Sequence, residues 1–202
     1  MNGTPSDVET RSDGRSDHKP RTRQALIDAS LKLFAAKGYD ATSIDEIAAL
    51  VGISPRTFFR YFETKDQVLF FGGDAFNDSV VRRLPGQPVQ LDDLGALEAT
   101  LISLTPMVTP LKARIRLFYQ ALDGTRTLIG QQELAMRKHD AAVASALADR
   151  RALARPDDRC HMAAALASVA VQQAYVTWLG SRRALPEILE ENFALLRSVS
   201  VT

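Results

Sequence analysis

Apolar residues recur at the three- and four-residue spacing of α-helices from residue 21 almost to the C-terminus. Ile27, Leu31 and Phe34 form the first such stripe, and proline-containing breaks at residues 85–88 and 155–158 interrupt the later ones. We find no strand-like alternation and no repeat of fixed period. The pattern therefore predicts an all-α fold.

A glycine-centred turn separates two short predicted helices. Ser43 and Glu46 have the spacing of a capping box, in which each side chain satisfies a backbone amide at the start of a helix. Gly52 suits the left-handed conformation that ends this helix. Ser54 can cap the next helix, with Pro55 at its first position. Together with the preceding stripe, these signals indicate a helix-turn-helix.

The helix after the turn has an unusual outward face. Phe58 and Phe62 form its inward stripe; the residues outside that stripe are Arg56, Thr57, Phe59, Arg60 and Tyr61. A solvated face rarely exposes two aromatic side chains, so we expect a partner to cover it. Arginine pairs with guanine, threonine contacts base edges or a thymine methyl, and tyrosine bonds phosphate. Taken singly, each charge is more simply explained as a solvated surface group.

The segment from Ile27 to Leu69 strongly resembles the DNA-binding domain of TetR-family transcriptional regulators. The matching features are Leu33-Phe34 before Gly38-Tyr39, Thr42-Ser43, Ile47-Ala48, Gly52-Ile53-Ser54, and Thr57-Phe58-Phe59-Arg60-Tyr61-Phe62 followed by Lys65. Two departures are mild. Pro55-Arg56 stands where many members have Lys-Gly, and Phe59 stands where tyrosine is common, which removes a hydroxyl.

The resemblance implies a homodimer that binds a palindromic or pseudopalindromic DNA operator and is released by a small-molecule effector. It assigns base reading to Arg56, Thr57 and Arg60, and apolar contact with bases or sugars to Phe59. The implied phosphate contacts are Tyr61, Ser43 and Lys65, and Ser54 is the remaining candidate for DNA contact. Arg21 and Arg23 are weaker candidates for the DNA backbone or minor groove.

The expected organisation is a flexible arm over residues 1–20, a three-helix DNA-binding domain over 21–66, and a helical effector-binding and dimerisation bundle over 67–202. Polar groups interrupt apolar faces in the bundle, as they do in small-molecule pockets. The pocket candidates are Phe118, Gln132, Met136, His139, Gln172 and Tyr175. The alternative is that these polar groups are hydrogen-bonded in the core or exposed at its edge, and that the aromatic rings are core.

Two C-terminal helices are candidates for the dimer interface. One has a face of small side chains that permits close helix approach, and the other has more apolar surface than one inward face needs. The predicted interface residues are Ala163, Ala167, Ala170, Ala174, Leu189, Phe193 and Leu196. The expected interface is a bundle of four helices, two from each subunit.

The formal net charge of +1 conceals a basic segment. Residues 18–65 carry eight basic and five acidic side chains, whereas residues 66–202 carry 15 of each. A dimer would present the basic segment twice, which indicates modest non-specific attraction to DNA.

Other classes of protein fit less well. No clustered metal ligands, nucleophile elbow or phosphate loop indicates an enzyme, and no cofactor is expected. Cys160 is the one cysteine, and the polar N-terminus lacks a signal core, so we expect a cytoplasmic protein without membrane spans. The uncharged run from Cys160 to Ser181 is better explained as a buried helix. The remaining alternative is a DNA-binding regulator that a protein partner controls, or that has no effector.

Overall fold

The computed structural model describes residues 13–70, 73–122 and 125–199, and all regular secondary structure in these ranges is helical. The α-helices are α1 (Asp13–Lys37), α2 (Ile44–Val51), α3 (Pro55–Phe58), α4 (Gln67–Phe70), α5 (Gly73–Arg83), α6 (Asp93–Val108), α7 (Lys112–Leu122), α8 (Arg126–Arg150), α9 (Asp158–Leu179) and α10 (Leu185–Val199). Short 3-10 turns precede α6 and α7, at Leu84–Gly86 and Thr109–Leu111. The all-α prediction is confirmed.

The chain forms two compact units, Met1–Leu69 and Phe70–Thr202. In the first unit, α1 packs against α2, and α2 packs against α3. Most residues of the predicted helical stripes are buried: Ile27, Leu31 and Phe34 of α1, Ile47 and Ala48 of α2, and Phe58 and Phe62 of the α3 region. Leu26 of α1 is also buried, whereas Ile44 and Val51 at the ends of α2 are only partly buried. The sequence periodicity therefore identified the inward face of each helix.

The first helix begins earlier than the sequence indicated. α1 extends from Asp13 to Lys37 and includes Pro20, whereas the expected flexible arm covers residues 1–20. Residues 13–20 are therefore helical, which corrects the arm over that part. Once a packed helix has formed, adding residues to its end avoids the cost of nucleation, so even a polar segment can continue it. The rest of the predicted arm, residues 1–12, lies outside the described residues.

Ser30 is wholly buried in the middle of α1, and its Oγ has no hydrogen-bond partner. A buried hydroxyl without a partner destabilises the folded state. We expect Ser30→Ala to raise the free energy of unfolding by about 1 kcal/mol, measured by chemical denaturation. Ser145→Ala on the exposed face of α8 is the matched control, since it changes helix propensity without relieving a buried group. Equal effects of the two substitutions would contradict this prediction.

In the second unit, α9 packs against α6, α8 and α10. Its small side chains, including Ala163, Ala167, Ala170 and Ala174, are buried among these helices. Leu189 and Phe193 of α10 are buried in the same core, and Leu196 packs against it. These seven residues are the predicted dimer interface. The structure corrects that prediction for the six that are buried within the chain, whereas Leu196 is partly exposed and stays a prediction. Close helix approach does occur at the alanine face, but the approaching helices belong to the same chain.

By length and composition alone, two segments could cross a membrane: Asp93–Leu122 and Asp158–Leu179. The second is α9, which contains most of the uncharged run noted in the sequence. Both segments contribute side chains to the core of the second unit, including Leu97, Leu104 and Ala174. Core helices of soluble proteins pass the same test, and 39% and 33% of the most apolar windows of the two segments are buried here.

Candidate nucleic-acid interface

Ser43 starts α2 through a complete capping box. The amide N–H of Glu46 donates to Ser43 Oγ at 3.2 Å, and the amide N–H of Ser43 donates to Glu46 Oε2 at 2.8 Å. Lys37 Nζ lies 2.5 Å from Glu46 Oε1. Hydrogen bonds from Lys37 and Ser43 lower the pKa of Glu46 to about 2. Ser43 is exposed, but its hydroxyl also donates to Glu46, so its predicted contact with phosphate would require that bond to be shared or exchanged.

The turn between α2 and α3 requires its glycine. Gly52 has a φ of 72°, and its amide N–H donates to the carbonyls of Ala48 and Ala49 at the end of α2. Ser54 then caps α3 by accepting the amide N–H of Thr57 at 3.2 Å, and Pro55 occupies the first helical position. Each local interaction predicted for the turn is present, and together they fix the direction in which α3 leaves α2.

The α3 region exposes the face that the sequence singled out. Phe58 and Phe62 are buried, whereas Arg56 and Arg60 are exposed and 54% of Phe59 is accessible to solvent. Thr57 and Tyr61 are half-buried. We call these five outward residues, Arg56, Thr57, Phe59, Arg60 and Tyr61, the recognition surface. It combines two cations with an exposed aromatic ring on one short helical segment.

Thr57 is oriented by its neighbour at the helix start. Its Oγ1 lies 2.9 Å from Ser54 Oγ, which also accepts the amide N–H of Thr57. Ser54 therefore fixes both the start of α3 and the rotamer of a residue on the recognition surface. This assigns Ser54 a positioning role, while its direct contact with DNA remains a prediction.

Lys65 has a structural role that the sequence did not indicate. Its ammonium donates to the backbone carbonyls of Tyr39 at 2.7 Å and Thr42 at 2.8 Å, and lies 4.0 Å from the centre of the Tyr39 ring. Partial burial lowers the pKa of Lys65. Two of its three donors thus hold the loop between α1 and α2, which leaves one for the predicted phosphate contact.

We expect Lys65→Met to destabilise the first unit by about 1–2 kcal/mol, because two partly buried carbonyls lose a charged donor. If the remaining donor also holds a phosphate, binding to all DNA sequences weakens and the salt dependence of log K falls by about one. Denaturation and salt-titrated binding measure the two effects. The control is Lys32→Met, which removes a charge from an exposed position of α1. Unchanged stability would refute the role in holding the loop.

The predicted pocket residues of the second unit are only partly brought together. Tyr175 lines a cavity of about 10 Å³, which has room for roughly one water molecule. Phe118, Gln132, Met136 and His139 are half-buried on α7 and α8 and are not among its lining residues. Burial lowers the pKa of His139, and no described residue hydrogen-bonds its Nδ1.

Gln172 is exposed on α9, which corrects its assignment to the pocket. The side of α9 that bears Val171 and Tyr175 faces the cavity inside the bundle instead. The residues that line the cavity are Phe76, Leu101, Thr105, Val108, Val171, Tyr175, Leu185 and Leu189, which come from α5, α6, α9 and α10. All but Tyr175 were missed, because an apolar residue beside a cavity has the same periodicity as one in a filled core.

An unburied apolar stripe lies on the surface of α9 and α10. Met162, Val169 and Val176 are seven residues apart on α9 and each is more than half exposed, as are Leu195 and Val199 on α10. We call these five residues the outer stripe. The buried alanines Ala163 and Ala170 are also seven residues apart, so spacing in the sequence did not separate the two faces of α9.

The fold and the recognition surface define a class: an all-α protein with an N-terminal helix-turn-helix unit and a helical C-terminal unit, as in DNA-binding transcriptional regulators. Residues 26–70 match the family model described as bacterial regulatory proteins, tetR family. The N-terminal unit therefore carries a segment that matches the DNA-binding domain of the TetR family, and this segment is the part of the chain that the family model covers.

Sequence similarity to characterised proteins is concentrated in the N-terminal unit. The transcriptional regulator TcmR of Streptomyces glaucescens is 38% identical over 77 residues, which cover 38% of this chain and 34% of TcmR. BetI of Rhizobium meliloti is 39% identical over 51 residues, 25% of each chain. The chain thus matches about a third or less of the length of these relatives.

Solved structures resemble nearly the whole chain in fold. SmeT in complex with triclosan superposes with a TM-score of 0.61 at 21% identity, over 87% of this chain and 91% of SmeT. Thermus thermophilus FadR, a TetR-family repressor in complex with lauroyl-CoA, gives a TM-score of 0.51 at 22% identity, over 86% of this chain and 92% of FadR. At these identities the likeness concerns the fold alone.

Proposed function

We propose that this chain is a ligand-responsive transcriptional repressor of the cytoplasm that binds a palindromic operator as a homodimer and is released by a small-molecule effector. The observation that carries DNA binding is the recognition surface. Arg56, Phe59 and Arg60 are exposed on the side of the α3 region opposite the buried Phe58 and Phe62. Such a short helix presents its N-terminal residues to base edges in the major groove.

The outer stripe supports the homodimer. A soluble protein seldom leaves a contiguous apolar surface on two neighbouring helices uncovered. α9 and α10 pack together, and Asn192 Nδ2 donates to the carbonyl of Ala170 at 3.0 Å, so their exposed faces lie side by side. Val169, midway along the stripe on α9, and Leu195 on α10 would be buried against the same helices of a second copy. The four-helix interface is thereby retained, but with outer-stripe residues in place of the alanines.

In a homodimer, the distance between the two recognition helices would determine whether the operator is bound. Two recognition helices reach successive major grooves only when they are about one DNA turn apart. An effector that binds better to a dimer with another spacing shifts the population toward it and releases the DNA. Triclosan and lauroyl-CoA are bound by SmeT and FadR respectively, which supports an effector site in the second unit here.

One observation favours the alternative, a DNA-binding regulator that lacks an effector or that a protein partner controls. The cavity in the second unit has a volume of only about 10 Å³, whereas small-molecule sites usually measure about 300–1,000 Å³. An effector would therefore have to enlarge the cavity. A regulator without an effector would keep the packed bundle in all states.

The proposed DNA-binding function is tested by selecting duplexes from random DNA with the full chain. We expect enrichment of an inverted repeat with half-site centres about 10 base pairs apart, bound by two chains in sedimentation experiments. Enrichment of a single half-site bound by one chain would overturn the homodimer, and the absence of any enriched sequence would overturn specific DNA binding.

A further inference from the structure

The apolar cavity of the second unit has no charged side chain among the residues that line it. Two of its lining residues carry a hydroxyl, Thr105 and Tyr175. The hydroxyl of Thr105 already donates to the carbonyl of Ile102 at 2.8 Å. Tyr175 therefore supplies the side-chain hydrogen-bonding capacity of the lining, and the remaining lining side chains offer only hydrocarbon and an aromatic ring.

A second tyrosine, Tyr119 of α7, contributes to the electrostatic environment of Tyr175. Burial raises the pKa of the Tyr175 phenol, and Tyr119 makes a smaller contribution in the same direction. Burial also raises the pKa of Tyr119. No described residue hydrogen-bonds either hydroxyl. Tyr175 thus lines the apolar cavity with a phenol that no described residue hydrogen-bonds, and the phenol of Tyr119 on α7 also has no partner among the described residues.

We infer that the effector is a neutral amphiphile: a slender hydrocarbon body that widens the small apolar cavity as it enters, and one hydroxyl or carbonyl group that hydrogen-bonds Tyr175 or Tyr119. This inference rests on the proposed release by a small molecule and names the chemical class. Hydrocarbon matches the leucine and valine side chains of the cavity, and one polar group hydrogen-bonds a phenol that has no partner among the described residues.

A charged effector fits this site less well, because burying an ion without a partner is costly. Cations near this region include Arg116, which donates to the carbonyl of Leu179 at 2.7 Å. Another is Lys112, whose ammonium lies 4.9 Å from the centre of the Trp178 ring. Lys112 already donates to the carbonyl of Ser181 at 2.8 Å. An anion would have to compete with these bonds, so we expect the neutral compound of a matched series to bind most tightly.

The test uses three probes with the same ten-carbon chain: 1-decanol, decanoate and decylammonium, each below its aggregation concentration at pH 7.5. Trp178 is the one tryptophan of the chain, and its ring centre lies 6.1 Å from that of Tyr175. Its fluorescence in the full-length protein therefore reports binding directly, without DNA. We expect decanol to bind at least about tenfold more tightly than either charged probe.

Tyr175→Phe is expected to weaken decanol binding about fivefold, the effect of one hydrogen bond. Val171→Phe, which fills the cavity, is expected to abolish binding of all probes. The control is Gln120→Ala, an exposed position next to Tyr119 on α7. Thermal denaturation of each variant shows whether it is folded, and Tyr119→Phe provides a second phenol deletion should Val171→Phe fail to fold.

Equal affinity for the three probes, tighter binding of decanoate, or unchanged decanol affinity in both phenol variants would overturn the inference. Operator binding of the same preparations is measured separately. Tight decanol binding without release of the operator would leave the site in place and refute the proposed release. Release of the operator by a charged compound alone would support the proposed release and refute the inference of a neutral effector.

Discussion

Val169→Glu is expected to convert the dimer into a monomer and to weaken operator binding by at least about 100-fold. Val169 lies in the middle of the outer stripe on α9, where 58% of it is exposed in the single chain. In the proposed dimer this position is covered by the second copy. Each interface would therefore bury two new carboxylates without partners, which costs several kcal/mol. Sedimentation at micromolar concentration measures the first effect, and titration of the selected operator measures the second.

Val89→Glu is the matched control, because Val89 is 78% exposed and lies outside the outer stripe, in the turn before α6. The same charge is added to the same unit there, without a partner surface to disrupt. We expect Val89→Glu to remain dimeric and to bind the operator as the wild type does. A dimeric Val169→Glu protein would show that the chains associate through a different surface.

The DNA-binding unit is the part of the molecule that sequence reasoning predicted best, because its signals act over a few residues. The capping box joins Ser43 and Glu46, three positions apart, and Gly52 ends α2 through carbonyls of the preceding turn. The apolar periodicity then identifies Phe58 as core and leaves Phe59 outside. These interactions join residues only a few positions apart, so they can be recognised in the sequence without knowledge of the tertiary structure.

Interactions between distant segments were not predictable in the same way. Lys65 contacts carbonyls of Tyr39 and Thr42, more than 20 residues earlier, and no spacing rule connects these positions. Family resemblance alone assigned Lys65 to phosphate. The structure adds a role in holding the loop, since the ammonium fits a site formed only after α1 and α2 have packed.

In the second unit, the sequence predicted which helix faces pack closely but not whether they pack within one chain or between two. Small side chains such as Ala167 and Ala170 correctly indicated close helix approach. Periodicity does not say whether the approaching helix belongs to the same chain or to another copy. α6, α8 and α10 cover the alanine face within the chain, so the face left for a partner is the one bearing Val169 and Val176.

Arg56→Ala is expected to relax base preference at one position of each half-site and to lower affinity for the preferred sequence by about 1–3 kcal/mol. Arg56 lies in the first turn of α3, exposed, with a guanidinium that suits bidentate pairing to guanine. Because a base contact distinguishes sequences, affinity for non-specific DNA should change much less. Repeating the duplex selection with the variant shows the lost preference directly.

Lys32→Ala removes one positive charge from an exposed position of α1 and is the control for Arg56→Ala. A loss of charge alone weakens binding to specific and random duplexes in parallel. Loss of a base contact instead lowers the ratio between the two affinities. Equal reductions of both affinities, with an unchanged selected sequence, would show that Arg56 contacts phosphate. Thr57 and Arg60 would then be the remaining candidates for base reading on the recognition surface.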